Sequence, residues 1–258
     1  MKRILVAGMA LLAASACLMA QAPQAPQAPK PSRGEAEAYN AMVMAQQQHN
    51  PDAVIAAAEN LLTKYADTQF KDVALSLEAD AYREKGDWEK CEIFAGRSLE
   101  ANPKNYQAAL TAGEVLVQHT RDTDLDKDDK LGKADKYLHQ AIENIKAAPK
   151  PNPQVTDAQW ADFQKGIEAE ATSDLGLAAM TNKKWDDAVA EFQKAEDIDP
   201  QPAYLVRLAS AYQSAGKFDD SIATCDKVLA QPNLNPRIKQ IADSIKAASA
   251  KAKGPAKP

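Results

Sequence analysis

The stretch Leu175–Pro200, LGLAAMTNKKWDDAVAEFQKAEDIDP, decides the fold. Its apolar residues return every three or four places, the period of an α-helix, and Asn182-Lys183 breaks that rhythm once. Two helices joined by a tight turn follow from this pattern. Within them Leu175-Gly176, Trp185, Ala188, Phe192 and Ala195 alternate small with large residues, and Pro200 closes the segment. Small residues let two helices approach closely, and large ones fill the space that the approach leaves. The proline ends the second helix, because it has no amide hydrogen and biases the preceding residue away from helix.

The same offsets recur along the chain. Tyr82, Gly86, Trp88, Cys91, Ala95, Ser98 and Pro103 fill them, as do Leu208, Ala209, Tyr212, Gly216, Phe218, Ser221, Cys225 and Val228. An aromatic stands three residues ahead of a small residue at Trp88, Trp185 and Phe218. A weaker copy runs from Glu35 to Tyr65, with Ala53, Ala57 and Asn60. Another has Ala112-Gly113, Leu116, Ala134, Leu138 and Ala141, and is interrupted by an insertion over 119–132, HTRDTDLDKDDKLG. This joint spacing resembles the tetratricopeptide repeat over most of the chain after residue 34.

The resemblance implies an all-α fold, a tetratricopeptide-like α-solenoid of antiparallel helix pairs with a C-terminal capping helix. Neither helix of a pair can bury its apolar stripe alone, so neighbouring pairs must stack. Repeats one to three are expected over 34–148, a Pro-rich linker over 149–156, and repeats four and five plus the cap over 157–249. Thr156 or Asp157 is the expected N-cap of a long helix that passes Trp160 and Phe163 and ends at Thr181. The cap is expected from Pro236 to about Ser249, with Ile238, Ile241 and Ile245 on one face. Residues 250–258 read as a disordered basic tail.

The N-terminus reads as an address. Met1-Lys2-Arg3 is basic, Ile4 to Ala14 is apolar, and small residues follow, which is the pattern of a secretory signal peptide. The apolar run is shorter than the roughly 20 residues that span a bilayer. The signal peptide occupies 1–20, with cleavage expected after residue 16 or after residue 20. Ala14-Ser15-Ala16-Cys17 resembles the bacterial lipobox, which makes Cys17 the candidate for lipidation; Ala14 stands where leucine is usual. Residues 21–33 begin QAPQAPQAPKP, a Gln/Ala/Pro-rich disordered spacer that favours extended polyproline-like backbone and cannot form a core. The expected location is exported: periplasm or secreted, or held at a membrane through a lipid on Cys17 alone.

Composition narrows the function. The 258 residues carry a net charge of −5 with 26% charged residues, so a basic nucleic-acid footprint is absent. Alanine is roughly a fifth of the chain and aromatics are 6%, which suits helices and not sheets. Asp122, Asp124, Asp126 and Asp128 alternate as in a calcium loop, but Lys127 and Lys133 stand where that loop needs glycine and glutamate. His49, His119 and His139 lack helical partners for zinc, and Cys91 and Cys225 occupy small packing positions. No phosphate loop or nucleophile elbow is present. No catalytic residue, cofactor or metal is therefore expected, and the chain reads as a non-enzyme.

What remains is binding. In tetratricopeptide arrays the first helices of successive units line a concave groove that takes a peptide or partner helix. Carried onto this sequence, the lining would include Asp80, Arg83, Thr111, Glu114, Arg207, Ser210 and Gln213. The family's carboxylate clamp of Lys and Asn is missing, since Ser173 and Leu177 hold the matching places in unit four. Arg207 alone could still meet a carboxylate. The expectation is an exported scaffold for protein–protein contact in the cell envelope. Two alternatives stay open: an outer-membrane lipoprotein of an assembly or secretion complex, and a noncatalytic module that binds a ligand or envelope polymer.

Overall fold

A computed structural model describes residues 30–254. The signal peptide, Cys17, most of the spacer and the last four residues of the tail lie outside the described residues. Within them are eleven α-helices and no strand. They run α1 (Arg33–Gln47), α2 (Pro51–Lys64), α3 (Lys71–Glu84), α4 (Trp88–Ala101), α5 (Tyr106–His119), α6 (Lys127–Ala147), α7 (Asp157–Thr181), α8 (Trp185–Ile198), α9 (Pro202–Ser214), α10 (Phe218–Leu229) and α11 (Pro236–Lys253). The fold is all-α and built from stacked helix pairs.

Two compact units divide the chain between Asn105 and Tyr106. The first stacks α1/α2 on α3/α4. The second stacks α5/α6, α7/α8 and α9/α10 in series, and α11 packs on α9 and α10. The Pro-rich stretch 149–156 lies inside the second unit, where α6 packs directly on α7.

Local chemistry fixes the pairs. Four of the five turns within a pair end the first helix with a residue in left-handed backbone: His49 (φ 51°), Gly86 (φ 75°), Lys183 (φ 58°) and Gly216 (φ 73°). At each, the next amide reaches back five residues, as Asn50 to Ala45, Asp87 to Tyr82, Lys184 to Ala179 and Lys217 to Tyr212. This satisfies carbonyls that the helix end would otherwise leave unpaired. Second helices begin on caps such as Asn50, whose Oδ1 accepts from Ala53 N at 3.1 Å, and Asp87, whose Oδ1 accepts from Lys90 N at 3.2 Å. α7 starts on a capping box in which Thr156 and Gln159 exchange hydrogen bonds.

The core is layered from small against large residues. Ala58, Ala95, Ala134, Ala188 and Ala195 are wholly buried. A Cβ at Gly176 would lie 2.6 Å from Phe192 Cε1, and one at Gly113 would lie 2.6 Å from Leu138 Cγ. Both glycines are therefore contact points between the helices of a pair. One register needs correcting. In α2 the buried face is Val54, Ala58 and Leu61, not Ala53, Ala57 and Asn60. The frame slips by one because α2 starts at Pro51, which stands in the place of Trp88, and the inward stripe counts from there.

The insertion is half helical, since α6 already begins at Lys127. Most of its aspartates are engaged by lysines. Asp122 pairs with Lys183 at 2.7 Å and Lys127 at 3.3 Å, while Lys130 reaches Asp126 at 3.1 Å and Asp124 at 3.7 Å. Lys183 and Lys127 hold the Asp122 carboxyl below the usual range. The loop is thus tied to the α7–α8 turn by charge. Cys91 and Cys225 are both buried as free thiols.

α11 ends the stack. It continues to Lys253, four residues beyond the expected Ser249, and Lys253 pairs with Asp219 of α10. Asp186 with Lys217, and Asp52 with Lys85, make the corresponding links between earlier pairs. The outward face of α11 carries Lys239, Gln240, Asp243 and Ser244 around a shallow open depression.

Candidate interaction face

The first helices of the pairs carry the predicted groove residues, and the two units are taken separately. In the first unit, Asp80 and Arg83 sit one turn apart on α3 and form an ion pair at 3.1 Å. Their side chains are only 14% and 17% exposed, so the pair is held within the surface rather than extended into solvent.

In the second unit, α5, α7 and α9 carry the rest. Thr111 is 1% exposed and lies among packed residues of α5. Glu114 is half-buried and accepts from Gln118 Nε2 at 3.0 Å. Ser210 is half-buried, and its carbonyl accepts from the Ser214 hydroxyl at 3.0 Å. Gln213 faces inward to the cap. Its Nε2 donates to Ile245 O at 3.2 Å and to Ser249 Oγ at 3.0 Å, and Ser249 in turn meets Ser221 Oγ at 2.9 Å.

That buried network makes Gln213 a docking residue for α11. Gln213→Ala removes two donors from a low-dielectric seam, at an expected cost of roughly 1–2 kcal/mol. Amide hydrogen exchange should speed up along α11 and leave α7 and α8 unchanged. Equal acceleration in all three helices would contradict this assignment.

Arg207 has the most developed surroundings. Its Nη1 donates to Ser173 Oγ at 2.6 Å and lies 3.5 Å from Asp174 Oδ1, both on α7. Ser173 is fully buried and the Asp174 side chain is 3% exposed, while Arg207 keeps a third of its side chain in solvent. A buried carboxylate beneath a half-exposed guanidinium fixes the cation in place. Tyr204 lies buried beside them. Burial pushes its hydroxyl well above the usual range, the charges of Glu170 and Asp199 add to this, and Arg207 opposes them. The repeat pattern does not mark Ser173 or Asp174 as lining residues. It shows Ser173 only as a position that lacks the clamp residue.

The arrangement presents a polar strip with one pre-oriented arginine. Among the described residues no group of three or more His, Cys, Asp or Glu side chains could hold a metal. Nor is any described helix long and apolar enough to cross a membrane.

Comparison places this architecture among known repeats. Residues 161–203 and 173–236 match the tetratricopeptide repeat family, so the chain carries tetratricopeptide repeats across its fourth and fifth pairs. Among curated proteins none matches the chain. Solved structures do. MamA 41-end from Desulfovibrio magneticus RS-1 is 16% identical, with a TM-score of 0.59 over 77% of this chain and 94% of that one. A thermophilic tetratricopeptide protein of Thermus thermophilus is 20% identical, with a TM-score of 0.53 over 82% of this chain and 98% of that one. At these identities the likeness is one of fold.

Proposed function

We propose that this chain, which carries tetratricopeptide repeats, is an exported scaffold that holds a protein segment against the first helices of its pairs. The Arg207–Ser173–Asp174 cluster carries the reading. A guanidinium pinned from below has already lost most of its rotamer freedom, so a partner's carboxylate or backbone carbonyl meets it at a small entropic cost. In the first unit Asp80 and Arg83 form a fixed pair that is less exposed than Arg207. Stacked helix pairs suit recognition of a protein segment along their surface.

Arg83→Ala combined with Arg207→Ala tests this. The expected result is loss of at least one crosslinked partner that wild type retains in the native envelope, with the circular dichroism spectrum preserved. An unchanged set of partners would remove the assignment. The cell-envelope location rests on the signal-like Met1–Ala20, and the lipoprotein form on Ala14-Ser15-Ala16-Cys17. Intact-mass analysis separates the two. A diacylated or triacylated chain starting at Cys17 supports the tether, and an unmodified chain starting at Gln21 supports a soluble exported protein.

A further inference from the structure

In the first unit, unanswered buried polar atoms gather on α3. Ser76 Oγ and both carboxylate oxygens of Glu78 lie out of water with no hydrogen-bond partner. Glu78 is 1% exposed, and Ala74, Leu75 and Ala79 beside it on the helix are buried as tightly. α3 packs on α4, on α2 and, more lightly, on α1. Two charged groups act on Glu78 from these neighbours: Glu59 of α2, a like charge, and Arg97 of α4, an opposite one. Arg97 forms no ion pair with it among the described residues, and its guanidinium rests over the Phe94 ring, 5.0 Å from the centroid.

A protonated carboxyl tolerates this setting because it is neutral. An ionised one does not, since a buried charge without a donor costs far more than its neutral form. Water is the remaining source of donors, and it reaches the carboxylate only if α3 parts from α2 or α4. The second unit lacks this feature. The matching places hold Ala112, Leu175 and Leu208, and its buried carboxylate, Asp174, lies 3.5 Å from Arg207.

We propose that Glu78 makes the first unit a pH-operated element, closed while the carboxyl holds its proton and opened locally when ionisation draws water between α2, α3 and α4. Asp80 and Arg83 ride on the same helix, so their ion pair at 3.1 Å is ordered only in the closed form. The direction follows from where the group ionises. The unit is most stable below the ordinary carboxylate value of 4.5, weakens as pH rises to about 7, and loses little more above that.

Hydrogen exchange on the full chain, expressed as protection factors, tests this. Between pH 5 and pH 7.5 protection in α2, α3 and α4 should fall roughly fiftyfold, and in α7, α8 and α9 by no more than about threefold. Glu78→Gln should leave α2, α3 and α4 flat over this range. Glu59→Gln removes the like charge and should move the midpoint of the fall to lower pH. Arg97→Gln removes the opposing cation and should move it to higher pH. A purely structural glutamate would not give shifts of opposite sign. A flat wild-type profile, a fall shared equally by both units, or a fall that survives Glu78→Gln would overturn the proposal. So would midpoints that move the same way in the Glu59 and Arg97 variants.

Discussion

Glu78→Leu should make the first unit more stable at pH 8 by about 3 kcal/mol and abolish its loss of stability between pH 5 and pH 8. Glu78 lies on α3 with 1% of its surface exposed, and neither carboxylate oxygen has a hydrogen-bond partner. Burial raises its pKa from an ordinary 4.5 to about 7; Glu59 of α2 adds to the rise and Arg97 of α4 opposes it. The sign follows from linkage. In the unfolded chain the group ionises near its ordinary value, but in the native unit it holds its proton to about pH 7. Stability is therefore intact below the unfolded value, falls as pH rises through this window, and stays low above it.

Leucine fits because the later pairs place leucine there. Glu78-Ala79 stands where Leu175-Gly176 and Leu208-Ala209 stand in pairs four and five. Glu78→Gln removes the charge but keeps an unsatisfied polar group, so it should recover only part of the gain. Hydrogen exchange of α2, α3 and α4, followed across pH 5 to 8, reads the effect unit by unit. A wild-type profile that is flat over this range would refute the assignment.

Phe192→Ala is expected to cost the second unit about 3–5 kcal/mol. Phe192 is wholly buried and packs on Gly176, so its removal leaves a cavity between α7 and α8. The reverse change is informative too. Gly176→Ala gains roughly 1 kcal/mol in helix propensity. It also drives a Cβ to 2.6 Å from Phe192 Cε1 and 2.8 Å from Cδ1, and a fully buried ring has nowhere to retreat. Overpacking of this kind costs about 1–3 kcal/mol, so the net change is destabilising. Adding Phe192→Leu to Gly176→Ala should restore part of the loss, because the two positions share one contact. Urea unfolding followed by Trp160 and Trp185 fluorescence measures the cycle. Strictly additive effects would mean that Gly176 and Phe192 do not constrain each other.

The pair pattern is readable because it is local. Leu175-Gly176, Trp185, Ala188, Phe192 and Pro200 state helix, turn and contact in one continuous stretch, and the structure places α7, α8 and their turn accordingly. The first pair is harder. α2 is so rich in alanine that two registers look alike in sequence, and only the Asn50 cap and the start at Pro51 select Val54, Ala58 and Leu61 for burial. The long α7 is marked by Thr156, since a capping residue acts on the amides immediately after it.

The candidate face is less readable, for the same reason in reverse. Thr111 and Gln213 occupy positions that line a groove by analogy, yet one is buried and the other is committed to α11. Ser173 and Asp174 carry no signal of their own in the sequence, because the Arg207 that rests on them stands 34 positions beyond Ser173.

By itself the sequence determined the helices, their pairing and the places where glycine or alanine must meet a large side chain, because helix periodicity, capping and proline stops act within a few residues. Tertiary structure alone decided which charges are spent. It committed Gln213 to the cap, rested Arg207 on a buried carboxylate, and buried both oxygens of Glu78 without a hydrogen-bond partner. Those outcomes depend on side chains far apart in the chain, and on how much water remains around each, neither of which a linear pattern records.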